Sequence, residues 1–256
     1  MSYHKVFESF TILIVLFASI LAVTEIVNSG VYKWPDLNNN LKEKIILNGA
    51  TTDLANLKIY AQILEPKESR NQEDNYAEYE TMIIFKKGQS KIQFNDTEKI
   101  LSPGSIAIIY PNEKYKIENV GDNNVEYYLF EYKSKAPVDY KRGLSAGGSF
   151  IVDWDTLKFV AHDKGGVRQY CERATAMFEY FSMHVTTLNP GIKSHEPHLH
   201  KSDEMIVMIS GNTNMEIGEE NYSAEEGDVY FLGAEIPHAI SNTGNESCMY
   251  YAFHFE

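Results

Sequence analysis

The chain has 256 residues, of which 43% are hydrophobic and 23% charged, a composition typical of a folded protein with one large or two small domains. Its formal net charge is −13, and no basic cluster reverses it locally. This excludes nucleic acid and anionic membrane surfaces as expected partners, since both are bound through positive patches.

The first predicted element is an apolar segment near the N-terminus. Residues 10–23 (FTILIVLFASILAV) carry no charge, and Glu8 and Glu25 close the run on either side. Because a membrane-spanning helix needs about 20 apolar residues, a signal peptide over residues 1–30, cleaved between residues 23 and 31, is favoured over a stable anchor. An uncleaved anchor and a buried helix of the fold are the alternatives. We therefore expect a periplasmic or secreted protein, or a membrane-anchored one if the segment is retained.

The rest of the chain contains an internal duplication. Residues 78–92 (EYETMIIFKKGQSKI) correspond to residues 201–215 (KSDEMIVMISGNTNM) at an offset of 123. Residues 103–121 and 226–244 share this offset, as do VEYYLFEY (125–132) and CMYYAFHF (248–255). A constant offset over several segments predicts two copies of one unit of about 75 residues.

Each copy has the pattern of short strands. Apolar or alternating runs such as TMIIFKKG and DVYFLGA end in Gly, Asn or Pro, which is typical of a β-sandwich or barrel. We predict an all-β chain with an N-terminal unit at 50–133, a connector with strands of its own at 134–175, and a C-terminal unit at 176–256. Since a single unit would leave sheet edges open, the two units are expected to pack together. Cys171 and Cys248 are expected to be buried thiols, with a single bridge as the alternative.

The C-terminal unit contains a cluster of metal-binding residue types. In HEPHLHKSDE (195–204), His198, His200 and Glu204 have the same parity, so their side chains would project to one face of a strand. His238 ends a later strand and would face them across a barrel interior. Three imidazoles and one carboxylate suit one divalent transition metal.

This spacing resembles the two motifs of the cupin family. The first motif has a glycine, His-x-His, a glutamate and a second glycine, which correspond here to Gly191, His198, His200, Glu204 and Gly211. The second has a glycine, a histidine and an asparagine, which correspond to Gly227, His238 and Asn242. The family's Pro-x-Gly turn is replaced by residues 233–235 (GAE), a change that affects the turn and leaves the ligands in place. The resemblance covers both copies and implies a bicupin: two tandem jelly-roll (double-stranded β-helix) barrels after a short apolar N-terminal segment.

The first copy departs from the motif. At the four ligand positions it has Asn75, Ala77, Thr81 and Tyr115, which do not form a ligand set for a divalent metal. We therefore expect a metal-free N-terminal cupin with a structural or dimer-forming role, and one metal per chain. Manganese is the first expectation, with zinc, iron and nickel as alternatives, and a homodimer is a further expectation.

Two arginines just upstream of the second copy are candidates for substrate binding. In related bicupins such a segment can pack over the barrel mouth, so Arg168 or Arg173 could clamp a substrate carboxylate. Together with Glu204 they form the predicted catalytic set. Salt bridging at the surface is the alternative for both arginines.

The remaining histidines of this region are expected to have structural or surface roles. His195 has the other parity and is expected in a surface loop near the barrel mouth. His184 and His254 are expected to be core or edge histidines, and Glu196 a solvated acid rather than a general base.

The second half is also similar to ureidoglycine aminohydrolases, through FLGA at 231–234 and the degenerate first copy. That family, however, has glutamate, histidine and glutamine at the positions of His198, Glu204 and His238. Its substrate is therefore not carried over to this chain.

Three functions follow from these observations. The preferred one is an exported hydrolase, isomerase or lyase that acts through the metal on a small carboxylated or carbohydrate-like molecule; it expects a polar, charged pocket with Arg168 or Arg173 near the metal. A dioxygenase expects an apolar pocket and iron, copper or nickel. A non-catalytic binding protein expects a metal sealed from solvent.

Overall fold

The computed structural model describes residues 25–72 and 78–255, and these residues form mainly β-strands. In chain order the first ten strands are β1 (Gly30–Tyr32), β2 (Glu43–Gly49), β3 (Leu54–Leu64), β4 (Ser69–Gln72), β5 (Glu80–Lys87), β6 (Ser90–Phe94), β7 (Thr97–Leu101), β8 (Ile106–Ile109), β9 (Tyr115–Asn119) and β10 (Val125–Ser134). After the short helix α1 (Tyr140–Ser145) come β11 (Phe150–Val152), a 3-10 turn (Trp154–Thr156), β12 (Val160–His162), β13 (Gly165–Arg173), β14 (Phe181–Leu188), β15 (Glu204–Ser210), β16 (Thr213–Ile217), β17 (Glu220–Ala224), β18 (Val229–Leu232), β19 (His238–Asn242) and β20 (Cys248–Phe255). Within the described ranges, no helix has the length and apolar character needed to cross a membrane.

The strands form a large and a small antiparallel sheet in each half of the chain. The N-terminal half has the orders β11-β8-β5-β10-β3-β2 and β4-β9-β6-β7, and the C-terminal half has β1-β18-β15-β20-β14-β13-β12 and β17-β16-β19. In each half, one cluster of buried side chains draws on both sheets, so the two sheets pack face to face as in a jelly roll. The all-β, jelly-roll prediction is confirmed.

A third buried cluster joins the two halves. Because side chains alternate along a strand, Tyr128 and Phe130 of β10 face this shared cluster, whereas Tyr127 and Leu129 face the core of their own half. Phe130 meets Phe253 of the other half edge-on, with ring centroids 5.8 Å apart. The two units therefore bury their large sheets against each other.

The two copies repeat the same hydrogen bonds around a pair of asparagines, Asn119 and Asn242, that are 123 residues apart. The side-chain amide of Asn119 donates to the carbonyls of Leu64 and Asn123, and its oxygen accepts from the backbone N–H of Gly121, each at 2.9 Å. Asn242 makes the corresponding three bonds in the second copy, also at 2.9 Å. The repeated asparagine thus ties the same turn to the same strand end in both units.

Tyrosines of the two copies exchange hydrogen bonds across the shared interface. The buried Tyr128 hydroxyl donates to the carbonyl of Gly227 (2.6 Å), and the Tyr251 hydroxyl donates to that of Gly104 (2.8 Å). Both glycines have positive φ values, 94° and 95°, so the two turns have the same conformation. The Gly104 carbonyl also accepts from Tyr170. The interface is reciprocal, as expected for two related units.

Strands outside the predicted units complete the sheets. In the connector 134–175, β11 pairs with β8 of the first unit, whereas β12 and β13 extend the large sheet of the second. β1 also joins the second unit, where it pairs with β18. Of the predicted signal segment 1–30, residues 1–24 lie outside the described residues, and residues 25–30 belong to the fold: Val27 is buried, and the Ser29 hydroxyl accepts from the backbone N–H of Gly233. Cys171 and Cys248 are both free thiols.

Candidate metal centre

The His-x-His segment lies in an extended loop that is fastened to the strand carrying His238. Backbone bonds run in both directions between His198 and His238 (3.2 and 2.9 Å), and the N–H of Glu235 donates to the carbonyl of His200 (2.7 Å). The sequence argument placed these residues in a strand, but regular β structure begins only at Glu204. Pro197 has no N–H with which to continue a ladder. The backbone hydrogen bonds to His238 and Glu235, rather than a regular strand, therefore position the imidazoles of His198 and His200.

Three imidazoles and one carboxylate converge at this point. Nε2 of His198 lies 2.9 Å from Nε2 of His200. The Oε2 atom of Glu204 lies 2.9 Å from Nε2 of His238 and 3.2 Å from Nε2 of His200. Ligating atoms of the three histidines all fall within 4.8 Å of one another. The structure therefore brings together the four residues that the sequence singled out.

These separations fit a single bound cation. Ligand atoms about 2.1 Å from a transition metal and at right angles around it lie about 3 Å apart. The observed contacts of 2.9–3.2 Å match such edges. The donor set, three imidazole nitrogens and a carboxylate, is also one that divalent transition metals accept.

The electrostatics of the cluster favour an ionised Glu204 and a neutral His198, the forms in which these two groups would bind a metal. Burial alone would raise the pKa of Glu204, but hydrogen bonds from His200 and His238 outweigh it and lower the pKa to about 2. Burial, with the neighbouring imidazoles, lowers the pKa of His198 to about 4. At neutral pH, Glu204 is therefore a carboxylate and His198 has a free lone pair, as ligands must.

Backbone contacts orient the cluster from outside. Nδ1 of His238 lies 2.9 Å from the carbonyl of Ile236, a bond that leaves Nε2 directed at Glu204. The carboxylate of Asp203, fully buried, accepts from the N–H groups of Ala234 (3.0 Å) and Asp53 (3.1 Å). The N–H of Asp203 donates to the Asp53 carboxylate (2.7 Å). Asp203 thus anchors the start of β15 both to the turn before His238 and to the first unit.

The four residues border a cavity of about 340 Å³, a volume suited to a small organic molecule. Its wall also contains apolar residues from both sheets, Leu188, Ile206, Met215, Ile240 and Ala252. The other polar side chains that line it are His162, Lys164, His184, Thr186, Ser194, His195, Tyr250 and His254.

Several of these polar residues were missed or given other roles by the sequence reasoning. His254 lies directly across from Glu204 in the β15–β20 pairing, so both side chains point into the cavity, and its ring stacks on that of His200 with centroids 5.7 Å apart. His184 lines the same cavity from β14. The strand register, which the sequence does not determine, turns the side chains of His184 and His254 into the cavity. His162 and Lys164 come from the connector, where no sequence signal marked them.

His195 and Glu196 lie at the exposed rim of the site. The ring of His195 packs edge-on against that of His198 with centroids 4.0 Å apart, and His195 is exposed, as expected for a surface loop. The Glu196 side chain is 92% exposed and lies 3.9 Å from Lys193, in keeping with a solvated acid.

The two arginines predicted to clamp a substrate point away from the cavity. In the β13–β14 pairing, Arg168 lies opposite Val185 and Arg173 opposite Phe181, and both partners face the cluster between the two units. The Arg168 guanidinium packs on aromatic rings of the connector, and that of Arg173 lies 4.1 Å from the ring centre of Phe150. The alternation of side chains in β13 therefore corrects the prediction: neither arginine belongs to the metal cavity.

The first copy has an apolar interior where the second has its cavity. Tyr115, at the position of His238, belongs to the buried core of its half, and Thr81, at the position of Glu204, is also buried. Asn75 and Ala77 lie outside the described residues. In the part of the chain that the structure describes, the only grouping of three or more metal-binding side chains is that of the second copy.

Comparisons with known proteins agree with this architecture. Residues 184–254 match the family model described as Cupin domain. A search of curated proteins gave no match. Among solved structures, similar chains include protein YlbA from E. coli (TM-score 0.66, 15% identity, 93% of this chain and 97% of that chain covered) and AerE from Microcystis aeruginosa (0.64, 12%, 89% and 98%). A third is oxalate decarboxylase from Lactobacillus farciminis in complex with formate (0.61, 13%, 80% and 77%). At such identities the likeness concerns the fold. Residues 184–254 thus match a cupin domain, and the chain as a whole has a jelly-roll fold similar to that of these structures.

Proposed function

We propose that this chain is a metal-dependent cupin enzyme, a hydrolase, isomerase or lyase that acts on a small carboxylated or carbohydrate-like molecule. His198, His200, His238 and Glu204 would hold one divalent transition metal, with manganese as the first expectation. The observation that carries the proposal is the convergence of these four side chains, within contact distances of 2.9–3.2 Å, on the wall of a cavity that can admit a small molecule. When bound, such a metal polarises a carbonyl or lowers the pKa of water.

The residues of the chain contribute charge, orientation and proton transfer. Glu204 supplies the negative charge that offsets part of the cation. Burial lowers the pKa of His184, so this cavity histidine is neutral at pH 7 and can accept a proton from a bound molecule. Tyr250 and Thr186 add hydroxyl groups that can orient such a molecule.

Two alternatives make different demands on this cavity. A non-catalytic protein that seals its metal from solvent is disfavoured, since the ligands border an accessible cavity and the His200 side chain is 30% exposed. A dioxygenase is the second candidate, because the apolar residues Leu188, Ile206, Met215 and Ile240 form part of the wall. Elemental analysis of the purified protein bears on the choice: manganese or zinc favours the hydrolase, isomerase or lyase, copper favours the dioxygenase, and iron or nickel is compatible with both.

Alanine substitutions test the proposal directly. His200→Ala and His238→Ala should each abolish retention of the metal, whereas Tyr115→Ala, at the position equivalent to His238 in the first copy, should leave one metal per chain. Metal content is measured by elemental analysis after gel filtration, with circular dichroism as the control for folding. One metal per chain in folded His200→Ala protein would refute the assignment.

We also propose that the N-terminal segment directs export to the periplasm or the outside of the cell and that the chain forms a homodimer. The uncharged run at 10–23 supports export. Because Val27 and Ser29 take part in the fold, cleavage before Glu25 is expected. The intact mass of the mature protein, together with its size by light scattering, tests both proposals.

A further inference from the structure

The connector brings one lysine to the metal cavity. Lys164 lies in the two-residue turn between β12 and β13, and its carbonyl accepts from the N–H of Asn189 (2.9 Å). Its ammonium group donates to the carbonyl of Ser194 (2.6 Å), a residue of the loop that leads to the His-x-His segment. Lys164 and Ser194 both line the cavity. The ammonium group is therefore held at the cavity by bonds at both ends of the residue.

Among the residues that the structure describes, the ammonium group of Lys164 has no ion-pair partner. None of the described carboxylates lies within 4.0 Å of its Nζ atom, whose hydrogen bond goes to a neutral carbonyl. Among the residues that line the cavity, Glu204 is the only acid, and it is engaged by His200 and His238. In a chain with a net charge of −13, an uncompensated cation in the candidate site points to an anionic ligand.

We propose that Lys164 recognises an acidic group of the substrate, and that the substrate is a small molecule with two anionic groups. One group would reach the metal and the other would meet Lys164. The inference rests on the proposed metal-binding function and narrows its substrate class. It also assigns to Lys164 the role that the sequence suggested for Arg168 and Arg173. A compact ammonium binds a carboxylate as a point charge rather than through a bidentate fork.

The alternative is a purely structural role, in which Lys164 only connects the β12–β13 hairpin to the loop at Ser194. The chain offers a matched control for this structural role. Lys135 also donates to a backbone carbonyl, that of Thr52, at 2.7 Å, but it lies outside the metal cavity. A lysine that only fastens a loop should behave alike in both places.

The test uses the full protein loaded with Mn²⁺ and two probes, malonate with two carboxylates and acetate with one. Affinities are measured by isothermal titration calorimetry at constant ionic strength for wild type, Lys164→Met, Lys164→Arg and Lys135→Met. Metal content is determined in parallel for every variant, and melting temperature reports on folding.

Lys164→Met should weaken malonate binding by about tenfold or more, as expected for loss of a charge-assisted contact. Acetate binding should change little, Lys164→Arg should retain most of the malonate affinity, and Lys135→Met should match wild type. One metal per chain with unchanged malonate affinity in Lys164→Met would overturn this inference alone. Absence of stoichiometric metal in the wild type would overturn the proposed function, and this inference with it.

Discussion

The buried acid Glu80 should make the stability of the protein fall as the pH rises from about 4.5 to about 7. Glu80, in β5, is 2% exposed; its carboxylate accepts from the Tyr132 hydroxyl (3.0 Å) and the N–H of Ala176 (3.2 Å). Burial raises its pKa from the ordinary value of 4.5 to about 7, against the effect of these hydrogen bonds and of Arg142. The folded state therefore binds this proton more tightly than the unfolded state does.

The sign and size of the effect follow from that difference. The proton on Glu80 makes its full contribution to the free energy of unfolding below pH 4.5, and this contribution is lost as the pH rises to about 7. The total change in the free energy of unfolding is about 3 kcal/mol. Glu80→Gln removes the titration and keeps the size of the side chain. The variant should lack this pH dependence and should be more stable than wild type at pH 8.

Urea denaturation of metal-loaded protein between pH 5 and pH 8, followed by tryptophan fluorescence, measures the effect. The quantity of interest is the difference between Glu80→Gln and wild type at each pH, because other groups titrate equally in both. Glu220→Gln, at an exposed position of β17, is the matched control and should follow wild type. Parallel stability curves for Glu80→Gln and wild type would refute the reasoning.

Four further substitutions test how the two units pack together and support the site. Tyr128→Phe should lower the free energy of unfolding, measured by urea denaturation, by about 2 kcal/mol because the Gly227 carbonyl loses its tyrosine donor. Tyr251→Phe should lower it by only about 1 kcal/mol because the Gly104 carbonyl keeps the hydrogen bond from Tyr170. Equal losses in the two variants would contradict this reasoning. Asp203→Ala should weaken metal binding by about tenfold or more, measured by competition with a chelator, since it releases β15 from the turn before His238; unchanged affinity would show that the anchor is dispensable. Gly227→Ala should lower stability by about 1 kcal/mol or more, because φ is +94° and the new Cβ would lie 2.9 Å from that of Trp34; an unchanged melting temperature would argue against that strain.

The sequence by itself determined the repeat, the strand-rich fold and the candidate ligands. A constant offset of 123 is visible without coordinates, and the paired asparagines Asn119 and Asn242 show why it persists: each fastens the same turn by the same bonds. The ligand types are equally visible, since His-x-His followed by Glu204 and a distant His238 is a pattern of residue chemistry and spacing. The four side chains converge even though the loop is not a regular strand, because backbone bonds to His238 hold it extended.

Only the tertiary structure decided which other side chains face the cavity. The direction of a side chain in a sheet depends on strand register, and a shift of one residue reverses it. Strand register turns Arg168 and Arg173 toward the interface between the units, and it turns His184 and His254 toward the candidate metal ligands. The approach of Lys164 depends on how the connector joins the second sheet, a contact between segments far apart in the chain that local sequence patterns do not encode.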